Sequence, residues 1–269
     1  DCDNWRYFLS DNKSNGTSDI YEVVLDDDLD IGTMTLYKSL DYTVHIAYSE
    51  ATDELYVVRS SNGSFSELDV SAPDGAISAE VAVDVNLSGV VTATFDSDGN
   101  FYIGAENTET VYQVDKTNGT TSVFAPANIH GGDIAFGTDG ELYHVTRDND
   151  GRALRINPGG ENEDLGSVPG LVTGLAARDD GNLMISTKDK NKLFVGDTDA
   201  MYLNRFYTLV FENEVFTMSN GDMASGCADD QNELQACENQ VYYYADHGPG
   251  ISGTNIYHLE LNGPNAILT

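Results

Sequence analysis

The chain has 269 residues, of which 45 are Asp or Glu and 13 are Lys or Arg, giving a formal net charge of −32 at pH 7. So acidic a surface repels nucleic acid and anionic membranes, and it suits divalent cations, high-salt solvent or simple solubility. No run of about 18 apolar residues is present, so we expect no insertion into a membrane. Neither terminus has a signal-peptide pattern, and we interpret the chain as a mature or excised segment.

The first stretch of the chain predicts strands that lack a leading partner. Residues 5–10 have the pattern of the second strand of a repeat, and two further strands follow at 19–26 and 32–40. An open sheet edge promotes aggregation. A strand that pairs with residues 5–10 is therefore expected from the C-terminal end or from outside this chain.

A unit of two strands joined by a Gly-containing turn then recurs. It appears loosely around residues 45–58 and clearly at 90–104, 131–146 and 173–186. The second strands of the three clear copies open 41 residues apart in both intervals, at Phe101, Leu142 and Leu183. A fixed period of this size indicates a repeat array in which each copy is one supersecondary unit.

The strand pattern predicts an all-β fold, a β-propeller, because four short strands in about 40 residues are typical of one propeller blade. We predict a single domain with six blades of four antiparallel strands. The predicted units lie near residues 1–42, 43–86, 87–128, 129–170, 171–219 and 220–269. Five blades with a split first unit, or seven with one poorly patterned unit, are the alternatives.

The repeated order of apolar strand, Asp-Gly-Asn or Asp-Gly-Glu, and then Phe-Tyr or Leu-Tyr carries a family resemblance. It resembles six-bladed propellers of the NHL, TolB-like and gluconolactonase-like kind. It is also similar to propeller modules of large secreted bacterial surface proteins. Because turn residues carry the resemblance, it implies the fold and leaves the function open. The motifs of β-propeller phytases are not visible.

The first strand of each blade lines the channel of a propeller, and the repeats align four residues at the start of that strand. These are Thr92, Asp133, Gly174 and Asp222, with His130 and Asn220 just before two of them. Carboxylate and amide oxygens are ligands for a hard cation such as Ca²⁺. We therefore name Asp133, Asp222, His130 and Asn220 as candidate metal ligands. Structural hydration of the channel is the alternative.

The loops between second and third strands are predicted to reach the same face as the channel mouth. They carry the candidate ligand-binding residues Arg147, Arg152, Lys188, Lys190 and His247. A basic patch of this kind binds a carboxylate or an acidic sugar. Ordinary turn charges, offset by neighbouring aspartates, are the alternative.

No arrangement of residues predicts a catalytic nucleophile. The sequence contains no G-x-S-x-G, no H-E-x-x-H and no phosphate-binding glycine loop followed by a helix. The acidic stretches Asp96–Gly99 and Asp148–Gly151 do not fit an EF-hand, because their glycines would place a threonine in the first ligand position. We predict that both are turns.

Two of the three cysteines flank a polar insertion of nine residues between Cys227 and Cys237. A disulfide that closes this loop would stabilise the fold by roughly 3 kcal/mol and would imply an oxidising compartment. Two unpaired thiols are the alternative. Cys2 remains without an assigned partner.

The sequence favours a non-enzymatic function at the cell surface or in the secreted state. We expect a recognition or structural module of a larger adhesion or surface protein, with a glycan, peptide or protein ligand on the channel-mouth face. The alternative is a Ca²⁺-dependent hydrolase or lactonase that uses Asp133, Asp222, His130 and Asn220.

Overall fold

The computed structural model describes residues 5–70, 75–127, 131–148, 150–159 and 161–227, and the backbone of residues 241–246, 255–262 and 265–268. The chain divides into two compact units, Asp1–Ala228 and Asp229–Thr269. Each unit is described by itself, and the single domain over residues 1–269 stays a prediction.

The described part of the first unit consists of strands and contains no helix. In chain order, the first three strands are β1 (Trp5–Asn12), β2 (Ser18–Asp26) and β3 (Ile31–Leu40). The second group comprises β4 (Val44–Ser49), β5 (Glu54–Arg59) and β6 (Phe65–Leu68), with residues 77–81 bridged to β6 at the outer edge. The third comprises β7 (Val90–Phe95), β8 (Phe101–Ala105), β9 (Thr110–Val114) and β10 (Thr121–Pro126). The fourth comprises β11 (Asp133–Phe136), β12 (Leu142–Val145), β13 (Arg152–Ile156) and β14 (Glu163–Ser167). The fifth comprises β15 (Val172–Ala177), β16 (Leu183–Thr187), β17 (Lys192–Gly196) and β18 (Leu203–Phe211), with the short β19 (Glu214–Val215) on β18. The last strand of this unit, β20 (Gly221–Cys227), pairs with β1.

The innermost strands of these groups form a closed ring. β4 contacts β7, β7 contacts β11, β11 contacts β15, β15 contacts β20, and β20 contacts β4. A separate cluster of buried apolar side chains fills each of the five spaces between neighbouring blades. Fully burying one large apolar side chain stabilises a fold by about 1.5 to 3 kcal/mol. The structure is therefore a β-propeller whose blades are held together by these clusters.

The first blade receives its innermost strand from the other end of the unit. β20 pairs with β1 in antiparallel register from Trp5 opposite Cys227 to Asp11 opposite Gly221. This supplies the missing leading strand from later in the chain. The predicted count of six blades is not confirmed, because β20 completes the first blade instead of opening another, and residues 5–227 form five blades.

The outer edges of the first and fifth blades are also joined. Residues 208–211 of β18 run parallel to residues 31–34 of β3, so the two blades share one continuous sheet. Charged side chains reinforce the junction, since Arg178 contacts Asp27 and Arg205 contacts both Asp27 and Asp30. The end of β18 thus links the fifth blade laterally to the first.

The first of the two predicted turns has the expected chemistry, whereas the second, Asp148–Gly151, includes Asn149, which lies outside the described residues. Asp96 Oδ1 accepts hydrogen bonds from the backbone N–H groups of Asp98 at 3.1 Å and Asn100 at 2.8 Å. Gly99 takes a φ of +77°, which a residue without a Cβ adopts readily. The acidic stretch at 96–99 is therefore a turn, as the sequence predicts.

The described backbone of the second unit forms one antiparallel sheet of three strands. These are β21 (Val241–Asp246), β22 (Asn255–Asn262) and β23 (Asn265–Leu268), with β22 in the middle. Within the ranges that the structure describes, no helix is long and apolar enough to cross a membrane.

Candidate functional site

The channel begins where two inner strands start with the dipeptide Gly-Asp. A Cβ atom on Gly132 would lie 1.7 Å from the carbonyl oxygen of Val145, and one on Gly221 would lie 1.8 Å from that of Ser10. Only glycine permits this close approach of the inner strand to the second strand of the same blade. The following residue in each strand, Asp133 or Asp222, is fully buried.

The Asp133 carboxylate connects three neighbouring blades. Its Oδ1 accepts hydrogen bonds from the Thr92 hydroxyl of β7 and from the backbone N–H of Ile134. Its Oδ2 accepts one from the backbone N–H of Leu175 in β15, at 2.5 Å. Asp133 therefore fastens β7 and β15 to its own strand, β11.

The Asp222 carboxylate plays the same part on the other side of the channel. Its Oδ2 accepts a hydrogen bond from the backbone N–H of Ile46 at 2.8 Å and lies 3.2 Å from Nδ1 of His45. Its Oδ1 accepts one from the backbone N–H of Met223 at 2.9 Å. Asp222 therefore joins β20 to β4. Together the hydrogen bonds of Asp133 and Asp222 reach all five inner strands.

Burial and the proximity of two carboxyl groups favour a proton on this pair. Burial raises the pKa of Asp222 to about 7, against the opposing effect of its hydrogen bonds. Burial and the charge of Asp222 raise the pKa of Asp133 well above its ordinary value. Two carboxylates that share a site cannot both ionise easily. At neutral pH and below, the pair therefore holds a proton.

His45 lies beside this pair and is neutral near pH 7. Burial lowers its pKa to about 4, and although the charge of Asp133 and a backbone contact to Val90 oppose this, the nearby Arg147 acts in the same direction. The distance to Asp222 is that of a hydrogen bond. Because the imidazole is uncharged, we treat this contact as a neutral hydrogen bond and not as an ion pair.

The hydrogen bonds of Asp133 and Asp222 suit a structural role, in which the two residues hold the inner strands together, better than a catalytic one. All four oxygens of Asp133 and Asp222 already accept hydrogen bonds from the protein, and both side chains are closed to solvent. Within the described ranges, no group of three or more His, Cys, Asp or Glu is placed to hold a metal ion. His130 lies outside those ranges, so the Ca²⁺ site stays a prediction.

A cavity of about 190 Å³ opens at the start of the inner strands, next to this network. It is lined in part by His45, Ser60, Thr173, Asn220 and Arg147. Arg147 Nη2 donates a hydrogen bond to Asn220 Oδ1 at 3.1 Å. We call this space the channel-mouth cavity. Asn220, one of the candidate metal ligands, therefore lies at the channel mouth and accepts a hydrogen bond from Arg147.

The structure separates the predicted basic residues from one another. Arg147 lies in the channel-mouth cavity, whereas Arg152 is directed outward and pairs with Asp164 of β14. Lys188 and Lys190 occupy the turn between β16 and β17, on the same face as Arg147. His247 lies outside the described residues. Arg147, Lys188 and Lys190 stay candidate ligand-binding residues on this face.

Sequence reasoning missed the contribution of His45 and Ser60. His45 immediately precedes Ile46, the position aligned with Asp133 and Asp222 in the loose copy of the repeat, and this adjacency was its one available signal. It also missed a cavity of about 220 Å³ at the opposite ends of the inner strands, lined in part by Trp5, Tyr48 and Glu50. Burial raises the pKa of Glu50 there.

The predicted disulfide falls partly outside the described ranges. Cys227 ends β20 opposite Trp5. Cys237 and Cys2 both lie outside those ranges, so the pairing of Cys227 with Cys237 stays a prediction.

No family model matches this sequence, and no curated protein matches it. Solved structures are similar in fold. The nidogen/laminin complex structure contains a chain that matches with a TM-score of 0.56 and 10% identity, over 83% of this chain and 99% of that one. A streptogramin B lyase matches with a TM-score of 0.45 and 16% identity, over 77% and 75%. Virginiamycin B lyase from Staphylococcus aureus matches with 0.46 and 16%, over 76% and 70%.

This chain has a propeller fold. The low identities mean that the likeness extends to the fold alone, and the propeller neighbours include both a lyase and a component of a protein complex.

Proposed function

We propose that this propeller is a non-enzymatic extracellular recognition module, which binds an acidic segment of a partner protein on the channel-mouth face. The observation that carries the proposal is Leu171, between the fourth and fifth blades. Its side chain is 41% exposed, and its backbone has a φ of +61°. A bulky residue pays a steric cost in this left-handed conformation. Strain of this kind concentrates at binding sites.

Two basic loops flank Leu171. Its N–H donates to the carbonyl oxygen of Asp148 at 3.4 Å, and its carbonyl oxygen accepts from the N–H of Lys188 at 2.9 Å. Leu171 therefore lies between the loop that follows Arg147 and the turn that carries Lys188 and Lys190. An exposed apolar side chain surrounded by charged groups is the usual layout of an interface anchor with its polar rim.

The cations of this surface are available to a ligand. Among the described residues, no carboxylate lies within 4 Å of the charged nitrogens of Arg147, Lys188 or Lys190, although the chain has a large excess of acidic residues. Over the short distances of a contact, local charges count for more than the screened net charge, since the Debye length is about 8 Å at physiological salt. This favours acidic side chains in the partner.

Further support comes from the channel and from one structural neighbour. The buried carboxyl pair is closed to solvent and serves as a hydrogen-bond acceptor, which supports a structural role. The neighbour with a TM-score of 0.56 belongs to a protein complex, which is consistent with protein binding on this fold. Extracellular location is part of the proposal and follows from the acidity and the predicted disulfide.

The test is binding to short synthetic peptides that combine acidic and apolar residues, compared with the same peptides carrying Gln and Asn in place of Glu and Asp. We expect the acidic peptides to bind more tightly. Leu171→Asn should weaken binding without loss of stability, because Asn accepts a positive φ better than Leu does. Lys188→Glu with Lys190→Glu should abolish it.

The matched control is Lys116→Glu in the turn between β9 and β10, at the opposite ends of the strands. It makes the same Lys-to-Glu exchange at one position of the other face, with half the charge change of the lysine pair, and should leave binding unchanged. Equal losses in this control and in the lysine pair, or equal binding of the acidic and neutral peptides, would refute the proposed surface.

A further inference from the structure

We propose that the channel-mouth cavity is a subsite for a single carboxylate, bound by the Arg147 guanidinium, and that the group it takes is an Asp or Glu side chain of the bound segment. This inference rests on the proposed function and gives it a point of chemical specificity. Arg147 supplies the charge, and the walls of the cavity limit the size of the group.

The position of Arg147 is fixed by a chain of hydrogen bonds. Its Nη2 donates to Asn220 Oδ1 at 3.1 Å, and the backbone of Asn220 is held in turn by Asn12 at 2.5 Å and by the Asp11 carboxylate at 3.3 Å. A guanidinium has five N–H donors in a planar fork that matches a carboxylate. The bond to Asn220 uses one, so the others remain for a ligand.

The size of the cavity selects a side chain over a whole small molecule. Its volume is about 190 Å³, whereas pockets for drug-sized ligands typically measure about 300 to 1,000 Å³. A carboxylate with a short aliphatic stem fits this space. The segment that carries it would then lie across the mouth, toward Leu171 and the lysines.

The other lining groups suit a carboxylate. The Ser60 hydroxyl oxygen is buried and has no hydrogen-bond partner among the described residues, so a ligand oxygen can accept its proton. An unpaired buried hydroxyl costs about 1 to 3 kcal/mol, which a ligand bond would recover. The uncharged His45 adds no competing charge. Asp133 and Asp222 lie below the cavity with their oxygens turned to backbone N–H groups, and the proton they hold reduces their repulsion.

One carboxylate of the protein lies near enough to compete. Glu106 Oε1 and Arg147 Cδ both lie 3.2 Å from where a Cβ of Gly131 would be. No Glu106 oxygen comes within 4 Å of the guanidinium nitrogens, so the two do not form an ion pair in the described structure. Substitution of Glu106 is therefore predicted to increase the affinity for a carboxylate, whereas substitution of Arg147 is predicted to decrease it.

The experiment measures binding of propionate and of its neutral isostere propionamide by ligand-observed NMR on the full chain. We expect saturable binding of propionate and none of propionamide. Arg147→Gln should weaken propionate binding by at least about tenfold, since hydrogen bonds to charged groups are the strong class. Glu106→Gln should tighten it by about threefold, by removing a nearby like charge. Arg147→Lys keeps the charge without the fork and should fall between wild type and Arg147→Gln.

The outcomes separate this inference from the proposed function. The double variant Lys188→Glu with Lys190→Glu should still bind propionate, weakened by no more than about threefold through its added negative charges, even though it no longer binds the acidic peptides. If the peptides bind and propionate does not, the subsite is wrong and the docking surface stands. Equal binding of propionate and propionamide, or undiminished binding in Arg147→Gln at an unchanged thermal midpoint, would also overturn the subsite.

Discussion

The proton held by the buried carboxyl pair makes the stability of the propeller depend on pH, and Asp222→Asn isolates this effect. An amide resembles a protonated carboxyl in shape, but it has one acceptor oxygen where Asp222 uses two. One of the backbone N–H groups of Ile46 and Met223 then loses its acceptor. A buried group left without a partner costs about 1 to 3 kcal/mol. This cost is independent of pH.

The ionisation of Asp222 adds a pH-dependent part. Its folded pKa of about 7 lies above the ordinary value of 3.8, so the folded state binds more protons between these values. The contribution is favourable at low pH and is lost as the pH rises through 7. Between pH 5.5 and 8 the wild type should lose about 2 kcal/mol from this group, whereas Asp222→Asn should lose none of it. The variant also removes the charge of Asp222 that raises the pKa of Asp133, and this further reduces the loss of stability with rising pH.

The assay is unfolding by denaturant at pH 5.5 and at pH 8, followed by the fluorescence of Trp5, the one tryptophan of the chain. Asp222→Asn should be less stable than wild type at pH 5.5, and the difference should shrink by about 2 kcal/mol at pH 8. The matched control is Asp139→Asn, which makes the same substitution in an exposed turn away from the buried pair. A destabilisation by Asp222→Asn that is the same at both pH values would refute the shared proton.

Three further predictions concern other parts of the same unit. His45→Gln should remove a pH effect opposite in sign to that of Asp222. The folded pKa of His45 is lowered to about 4, so this group makes the wild type less stable as the pH falls. Between pH 7.5 and 5 the variant should therefore lose about 2 kcal/mol less stability than the wild type. Gly132→Ala should destabilise by about 3 kcal/mol or more in thermal unfolding, because its Cβ would lie 1.7 Å from a backbone oxygen. Gly140→Ala, with a similar φ of +80° but no atom within 4 Å, should cost only about 1 to 2 kcal/mol. Peptide mapping without reductant should find Cys227 joined to Cys237, and a link from Cys227 to Cys2 would contradict this.

The sequence predicts the features that repeat and misses those that occur once. Aligning the repeats on their turns places Thr92, Asp133 and Asp222 in one ring, because equivalent positions of a propeller face the same channel. The Asp-Gly turns follow from local backbone preferences, which do not depend on distant residues. Both are visible in a short window of sequence.

The blade count and the basic patch depend on choices that no short window contains. β20 has the sequence pattern of a first strand whether it opens a sixth blade or completes the first. Its pairing with β1, across more than 200 residues, decides that it completes the first blade. The direction of a long side chain is equally nonlocal. Arg147 turns inward because Asn220 is there to accept its hydrogen bond, and Arg152 turns outward because Asp164 lies across the neighbouring strand.

The pairing of β20 with β1 also has a consequence for biosynthesis. The inner edge of β1 is ready for a partner once the first hairpins have formed, but that partner, ending at Cys227, emerges some 200 residues later. At about 5 to 20 residues per second, the edge stays open for roughly 10 to 40 s. An open edge is a template for pairing with another nascent chain. Charge repulsion between like molecules opposes such encounters, so the excess of acidic residues protects the protein during the interval before its ring can close.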